Sequence, residues 1–260
     1  MSDQTGKVHL TIRDGVAAIL IDRPEARNAM TWPMYEQLAA ICTQIAGDTS
    51  IRVATFRGAG GEVFVAGTDI EQFSTFKGGD DGVAYEKTID QIVGQIERLP
   101  MPTIAIVEGW AIGGGLAICA ACDFRIATPE ASFGVPIART LGNCLSMSNI
   151  ARVVAAFGVP RAKRMLLLAE TITAGEAEGF DFVTEIAEPS ELDATVAQMC
   201  RRLSSHAAVT MRVSKEAIRR LAQENLPGGE DLIRAAYDSA DFGIGVSSFL
   251  QKQKPQWTGT

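Results

Sequence analysis

The stretch GWAIGGGLAICAACD, Gly109 to Asp123, sets three consecutive glycines at the mouth of an apolar helix, just after the strand-like run TIAIVEG. A strand feeding a helix in this way is the unit of a layered α/β core. With no side chains in its first turn, such a helix leaves unpaired backbone N–H groups open to a ligand, and its N-terminus adds a partial positive charge. The same glycines also suit a plain packing role, because they let a helix lie close against a sheet. A second junction, FVAGTDI over Phe64 to Ile70, ends another strand in small residues. Two such junctions meeting at one point would hold an anion, or an oxygen that becomes anionic during reaction. Neither has the spacing of a dinucleotide site or a P-loop.

Outward from this stretch, HLTIRDGVAAILIDR reads as two strands around an Asp14-Gly15 turn. A helix follows, with Thr31 as N-cap and Met34, Leu38, Ile41 and Ile45 at helical spacing up to Gly47. VATFRG and EVFVAG read as strands parted by Gly58 to Gly61. Tyr85, Ile89, Ile92, Val93, Ile96 and Leu99 mark a second helix, stopped by Pro100 and Pro102. DFRIAT is a further strand. From about residue 145 the pattern is mainly helical, with a capping box from Thr173 to Glu176, a short strand FVTEIA, two helices around residues 190 to 222 and a helical tail from Glu230 to Trp257. Alternation in the first half predicts crossover connections, and the helical second half predicts a separate packing or oligomerisation module.

A chain of 260 residues, 47% of them hydrophobic, can bury a full core. Its formal net charge of -7 argues against a long interface with nucleic acid or an anionic membrane. The N-terminal MSDQTGKVHL lacks the basic and apolar regions of a leader, and no apolar run is long enough to span a bilayer, so a cytoplasmic protein is expected. Cys42, Cys119, Cys122, Cys144 and Cys200 read as free thiols of a reducing compartment. Cys119 and Cys122 form a CxxC with no second pair nearby, so no metal site is expected.

The order LIDRPEARNAM, FVAGTDI, EGWAIGGGLAICAACD, ASFGVP and ITAGEAEGFDFVTEIA resembles the crotonase, or enoyl-CoA hydratase/isomerase, superfamily over nearly the whole chain. The resemblance implies an α/β spiral of ββα units over residues 1–200 and a helical C-terminal trimerisation region over residues 201–260, assembled as a trimer or as a hexamer of paired trimers. It implies an acyl-CoA thioester substrate, with coenzyme A arriving as part of it and no permanently bound cofactor. It also implies an oxyanion hole formed by two backbone N–H groups, here those of Thr68 and Gly114. A backbone donor leaves the Thr68 side chain without a required part. For coenzyme A the resemblance points to Arg27 near the phosphates, the backbone of Ala66, Asp69 and Ile70 near the adenine, and Lys252 near the 3′-phosphate.

The sequence departs from the hydratase pattern where that pattern carries its acids. One glutamate sits two residues after the third glycine in the hydratases, and another follows the proline of the FGxP segment. These positions hold Ala117 and Ile137, and neither can titrate. Positioned acid–base groups contribute about 10²–10⁴ each, so efficient hydration would need a replacement. The next segment also departs, and no Asp or Glu occurs between Ala131 and Ala169. Arg139 is a candidate clamp for a carboxylate on the acyl group, against a structural or subunit contact. Asn143 would orient water or cap the following helix, with capping favoured. Cys144 and Ser146 are further polar groups at the acyl end. Ser146 has no evident base, because His9 and His206 lie in an early strand and near a helix end.

Three functions remain open on this reading. The first is an enolate-stabilising enzyme with a decarboxylase-like reaction, since loss of carbon dioxide makes an enolate without a general base. The second is a hydratase or isomerase whose acid is displaced to Glu62, Glu71 or another subunit. The third is an acyl-CoA-binding protein without catalysis.

Overall fold

Asp14 and Gly15, at φ 52° and 74°, turn the chain between β1 (Lys7–Arg13) and β2 (Val16–Asp22), as the Asp-Gly pair predicts. The computed structural model describes residues 6–223 and 228–259. The first residues of the N-terminal reading, 1–5, lie outside the described residues. After a 3-10 turn at Pro24–Ala26 comes α1 (Trp32–Ala46), with Thr31 at its N-cap position and Met34, Leu38, Ile41 and Ile45 buried at the predicted spacing.

The chain then repeats one gesture. β3 (Val53–Gly58) and β4 (Val63–Val65) are followed by a 3-10 segment, Ile70–Thr75, and α2 (Gly79–Glu97). β5 (Thr103–Val107) and β6 (Trp110–Ile112) lead to α3 (Gly114–Ala121). β7 (Phe124–Ala127) and β8 (Ser132–Gly134) lead to the single turn α4 (Ile137–Thr140) and then α5 (Met147–Leu167). In each pass the first strand joins a six-stranded sheet whose order begins β1-β2-β3-β5-β7, and the second joins a four-stranded sheet whose order begins β4-β6-β8. Neighbours within these passes pair in parallel, so each pass stacks on the one before, a spiral of ββα units.

β9 (Thr171–Thr173) closes the small sheet antiparallel to β8, and the Thr173 hydroxyl accepts from the Glu176 amide to cap α6 (Ala174–Glu178). β10 (Glu185–Ile186) closes the large sheet beside β7. Among the described residues four helices follow: α7 (Leu192–Ser204), α8 (Ala208–Gln223), α9 (Glu230–Tyr237) and α10 (Ala240–Leu250). Alternate residues of the large sheet serve two cores. Ala54, Phe56, Ala105 and Val107 face the main interior, whereas Val53, Ile104, Ile106 and Ile126 face Leu192, Cys200 and Leu203 of α7.

The structure corrects the sequence reading at four places. TIAIVEG does not run directly into its helix: Gly109, at φ 61°, turns the chain into β6, which belongs to the other sheet. FVTEIA yields only the two-residue β10. Gly158, at φ 72°, and Pro160 break α5 internally. The tail is helical to Leu250 and irregular after it, where Lys252 takes φ 55°. All five cysteines are free, and burial pushes the Cys119 thiol up to about 12, which suits inert core thiols.

Candidate active site

The three glycines at the start of α3 do three different things. Gly113 takes φ 55°, ψ −118°, a conformation costly for a side chain, and its N–H donates to the Gly134 carbonyl of β8. A Cβ on Gly115 would sit 2.1 Å from the Val65 carbonyl oxygen, so this glycine is required for α3 to lie on β4. Gly114 faces the other junction. A Cβ there would lie 2.7 Å from the Tyr35 hydroxyl and 3.8 Å from the Thr68 amide nitrogen. Packing and openness, posed as rivals by the sequence, are divided between neighbouring residues.

The Thr68 and Gly114 amides therefore come together where the two junctions turn. Gly67 and Asp69 spend their backbone groups on Met30, whose N–H donates to the Gly67 carbonyl and whose carbonyl accepts from the Asp69 amide. Thr68 lies between them. Gly114 opens α3, so its N–H has no carbonyl one turn back to bond. Among the described residues neither amide has an acceptor.

Both line a cavity of about 670 Å³, within the usual range for small-molecule sites. Arg27, Ala66, Asp69, Ile70 and Lys252 line the same cavity, as do Ala117, Ile137, Arg139 and Asn143. Arg27 takes φ 55° and its guanidinium stands 5.6 Å from the Trp110 ring centroid. The Ala66 amide donates to the Arg27 carbonyl and the Asp69 carboxylate pairs with Arg23 at 2.6 Å. Arg139 is exposed at the cavity rim and has no ion pair among the described residues.

The Thr68 side chain is engaged after all. Its hydroxyl oxygen lies 2.9 Å from the Tyr35 hydroxyl and 2.8 Å from that of Tyr85. Burial, partly opposed by the Thr68 bond, pushes Tyr35 up to about 12, and burial drives Tyr85 well upward too, so both stay protonated. Three O–H groups here share two mutual bonds.

Ser146 and Asn143 depart from their sequence readings. Ser146 does not line the cavity; it caps α5 by accepting from the Asn149 amide at 3.1 Å, and its hydroxyl donates to Asp90 at 2.7 Å. Asp90 is in turn held by Arg152, so the serine is a buried structural cap with no base free to activate it. Asn143 caps nothing. Its Nδ2 donates to the Tyr237 hydroxyl at 3.3 Å, while its buried Oδ1 has no partner among the described residues. Cys144, next to it, is pushed up to about 12 by burial. Neither His9 nor His206 reaches the cavity.

A buried acid of the cavity escaped the sequence reading: Glu86, on α2, 2% exposed. Its carboxyl accepts from the Tyr237 hydroxyl at 3.0 Å and from the Ser146 amide at 2.8 Å. Burial pushes it up to about 7, against the lowering effect of those two bonds. Of the displaced acids considered from sequence, Glu71 lines the cavity and Glu62 does not.

Residues 11–260 match the family described as Enoyl-CoA hydratase/isomerase, and the chain belongs to it. It is 32% identical over 251 residues to the short-chain-enoyl-CoA hydratase of Clostridium acetobutylicum, covering 92% of each chain. A solved structure of methylmalonyl-CoA decarboxylase with 2-nitronate-propionyl-CoA superposes with TM-score 0.89 at 27% identity, over 98% of this chain and 99% of that one. Another, complexed with 2S-carboxypropyl CoA, superposes with TM-score 0.88 at 28% identity over the full length of both. The protein is an acyl-CoA enzyme of the crotonase superfamily.

Proposed function

We propose that this enzyme releases carbon dioxide from an acyl-CoA carrying a carboxyl group on its α-carbon, through a thioester enolate held by the Thr68 and Gly114 amides. The observation that carries the reading is the convergence of two partnerless amides in a cavity whose hydratase acid positions are Ala117 and Ile137. The α-carbon to carboxylate bond breaks, carbon dioxide leaves, and the electron pair enters the enolate, whose oxygen gains charge between the amides. Donors aimed at that oxygen are each worth about 10²–10³ in rate. Arg139 at the rim recognises the carboxylate through paired N–H groups. Arg27 and Lys252 meet the coenzyme's phosphates. The Ala66 and Asp69 amides are spent internally and the Asp69 carbonyl accepts from Gln72, so the Ala66 carbonyl is the backbone group left to meet the adenine. The superposition on methylmalonyl-CoA decarboxylase supports this substrate class.

A panel of malonyl-CoA, methylmalonyl-CoA and crotonyl-CoA tests the reading. Carbon dioxide is expected from at least one malonyl-type thioester, and none from any of them would remove the proposal. Glu86 favours a second reading, double-bond isomerisation, in which one carboxyl moves a proton between carbons; crotonyl-CoA or its unconjugated isomer would then turn over instead. Flat turnover with calorimetric binding of acyl-CoA would leave binding alone. Assembly as a trimer or hexamer through residues 201–260 belongs to the same reading, supported by Val209, Val213, Ile218 and Leu221, which α8 leaves exposed; light scattering tests it. A cytoplasmic setting is supported by the five free thiols.

A further inference from the structure

We infer that Glu86 is the catalytic acid–base group of this cavity, delivering a proton to, and taking one from, the α-carbon of the thioester enolate. This rests on the proposed enolate chemistry, though not on decarboxylation as its source.

An enolate, however formed, must receive a proton at carbon, and the two positions from which the hydratases deliver one hold Ala117 and Ile137. Glu86 lines the same cavity as the Thr68 and Gly114 amides. Its surroundings are built to hold a carboxyl in either protonation state. The Tyr237 hydroxyl and the Ser146 amide each donate to one oxygen, which supports the carboxylate left after a proton is given up. Apolar burial at 2% exposure supports the neutral acid.

The groups facing Glu86 from the packed elements leave it as the residue able to change state near neutrality. Tyr35 of α1, Tyr85 of α2, Tyr237 of α9 and Cys144 all have their pKa values pushed upward, chiefly by burial, and keep their protons. Asp90, one helical turn on, has its charge taken by Arg152. Arg152 is itself tied to Glu97 at 2.8 Å. Burial raises Glu86 to about 7, where acid and base forms coexist.

The proton balance is simple. The enolate α-carbon takes the Glu86 proton, forming a C–H bond and leaving the carboxylate, which water then reprotonates. Run backward on a saturated thioester, the carboxylate removes an α-proton, forms the enolate and returns a solvent hydrogen. Propionyl-CoA incubated with the enzyme in D₂O therefore reads Glu86 without any decarboxylation. Wild-type protein is expected to exchange α-hydrogen for deuterium, Glu86→Gln to lose at least about 10²-fold with propionyl-CoA binding retained, and Glu86→Asp to recover part of it. Exchange undiminished in Glu86→Gln, or none from wild-type protein that binds propionyl-CoA, overturns the inference. Exchange without carbon dioxide release from malonyl thioesters would instead sink the decarboxylation and leave Glu86 in place. Should Glu86→Gln fail to fold, Tyr237→Phe reads the same group: removing a donor to the carboxylate moves the pH midpoint of exchange upward, and an unmoved midpoint overturns the assignment.

Discussion

The two sides of the cavity are made in different ways. One side is backbone: the amides of Thr68 and Gly114, brought together because two strand ends turn at the same place. The other is side chains, Glu86 of α2 and Asn143 of the segment before α5, held from behind by the Tyr237 hydroxyl of α9. The first is local chemistry and is written in runs of small residues. The second is tertiary chemistry. Glu86 meets Tyr237 across 151 positions because α9 packs on α2 at Gly82, where a Cβ would lie 2.3 Å from the Tyr237 ring. A binding oxygen can be located by reading a motif, whereas the proton that completes the reaction depends on how distant helices close.

That contrast can be broken from either side. The largest effect is expected from Gly114→Ala, whose methyl enters the space between the two amides and presses on the Tyr35 hydroxyl. Turnover should fall about 10²–10³-fold while calorimetry shows coenzyme A still bound. If turnover holds, the amides do not act on the reacting oxygen.

The side-chain wall has a signature in stability. Glu86 keeps its proton to about 7 in the folded chain, against 4.5 for an ordinary glutamate. Between those values the unfolded chain binds fewer protons than the folded one. Stability from this group is therefore full below about pH 4.5, lost as pH rises to about 7, and worth about 3 kcal/mol across that window. Urea midpoints of wild type and Glu86→Gln across this range should differ in slope, with the variant flatter. Parallel curves would mean that the carboxyl is not held neutral.

A smaller change is expected at the rim. Arg139→Gln should raise KM about tenfold for malonyl-type thioesters and leave that for propionyl-CoA exchange unchanged, because an exposed guanidinium is partly screened. Equal change for both would make the arginine a general coenzyme or structural contact. Smallest is Tyr35→Phe, which removes one bond of the Tyr35-Thr68-Tyr85 hydroxyl chain. Thermal or urea unfolding should show a loss of about 1 kcal/mol, with turnover reduced severalfold through a looser Thr68 peptide.

Much of the architecture was legible because its signals are short-range. The Asp14-Gly15 hairpin, the helical spacing from Met34 to Ile45 and the Thr173 cap all stand as the residues predict. The three-residue strands β6, β8 and β9 were not legible, since so few residues carry no periodicity. In the site, the two amides and the residues proposed to meet coenzyme A line one cavity, and most of them lie on motif segments. That Ser146 caps α5 away from the cavity, and that Asn143 caps nothing, was not legible for a physical reason: their partners, Asp90 and Tyr237, lie 56 and 94 positions away. Glu86 was invisible on the same grounds, a charged residue within an amphipathic helix whose neighbours α9 and Ser146 make it a buried acid.

The most direct test of the central claim is vibrational. Isotope-edited infrared spectra of propionyl-CoA labelled with ¹³C at its thioester carbonyl report the polarisation of that one bond. Bound to the wild-type protein, the carbonyl stretch should move to lower frequency than in water, and in Gly114→Ala it should return toward the unbound position. A bound carbonyl whose frequency matches free propionyl-CoA, or one shifted equally in the variant, would contradict the pairing of Thr68 and Gly114 on the thioester oxygen.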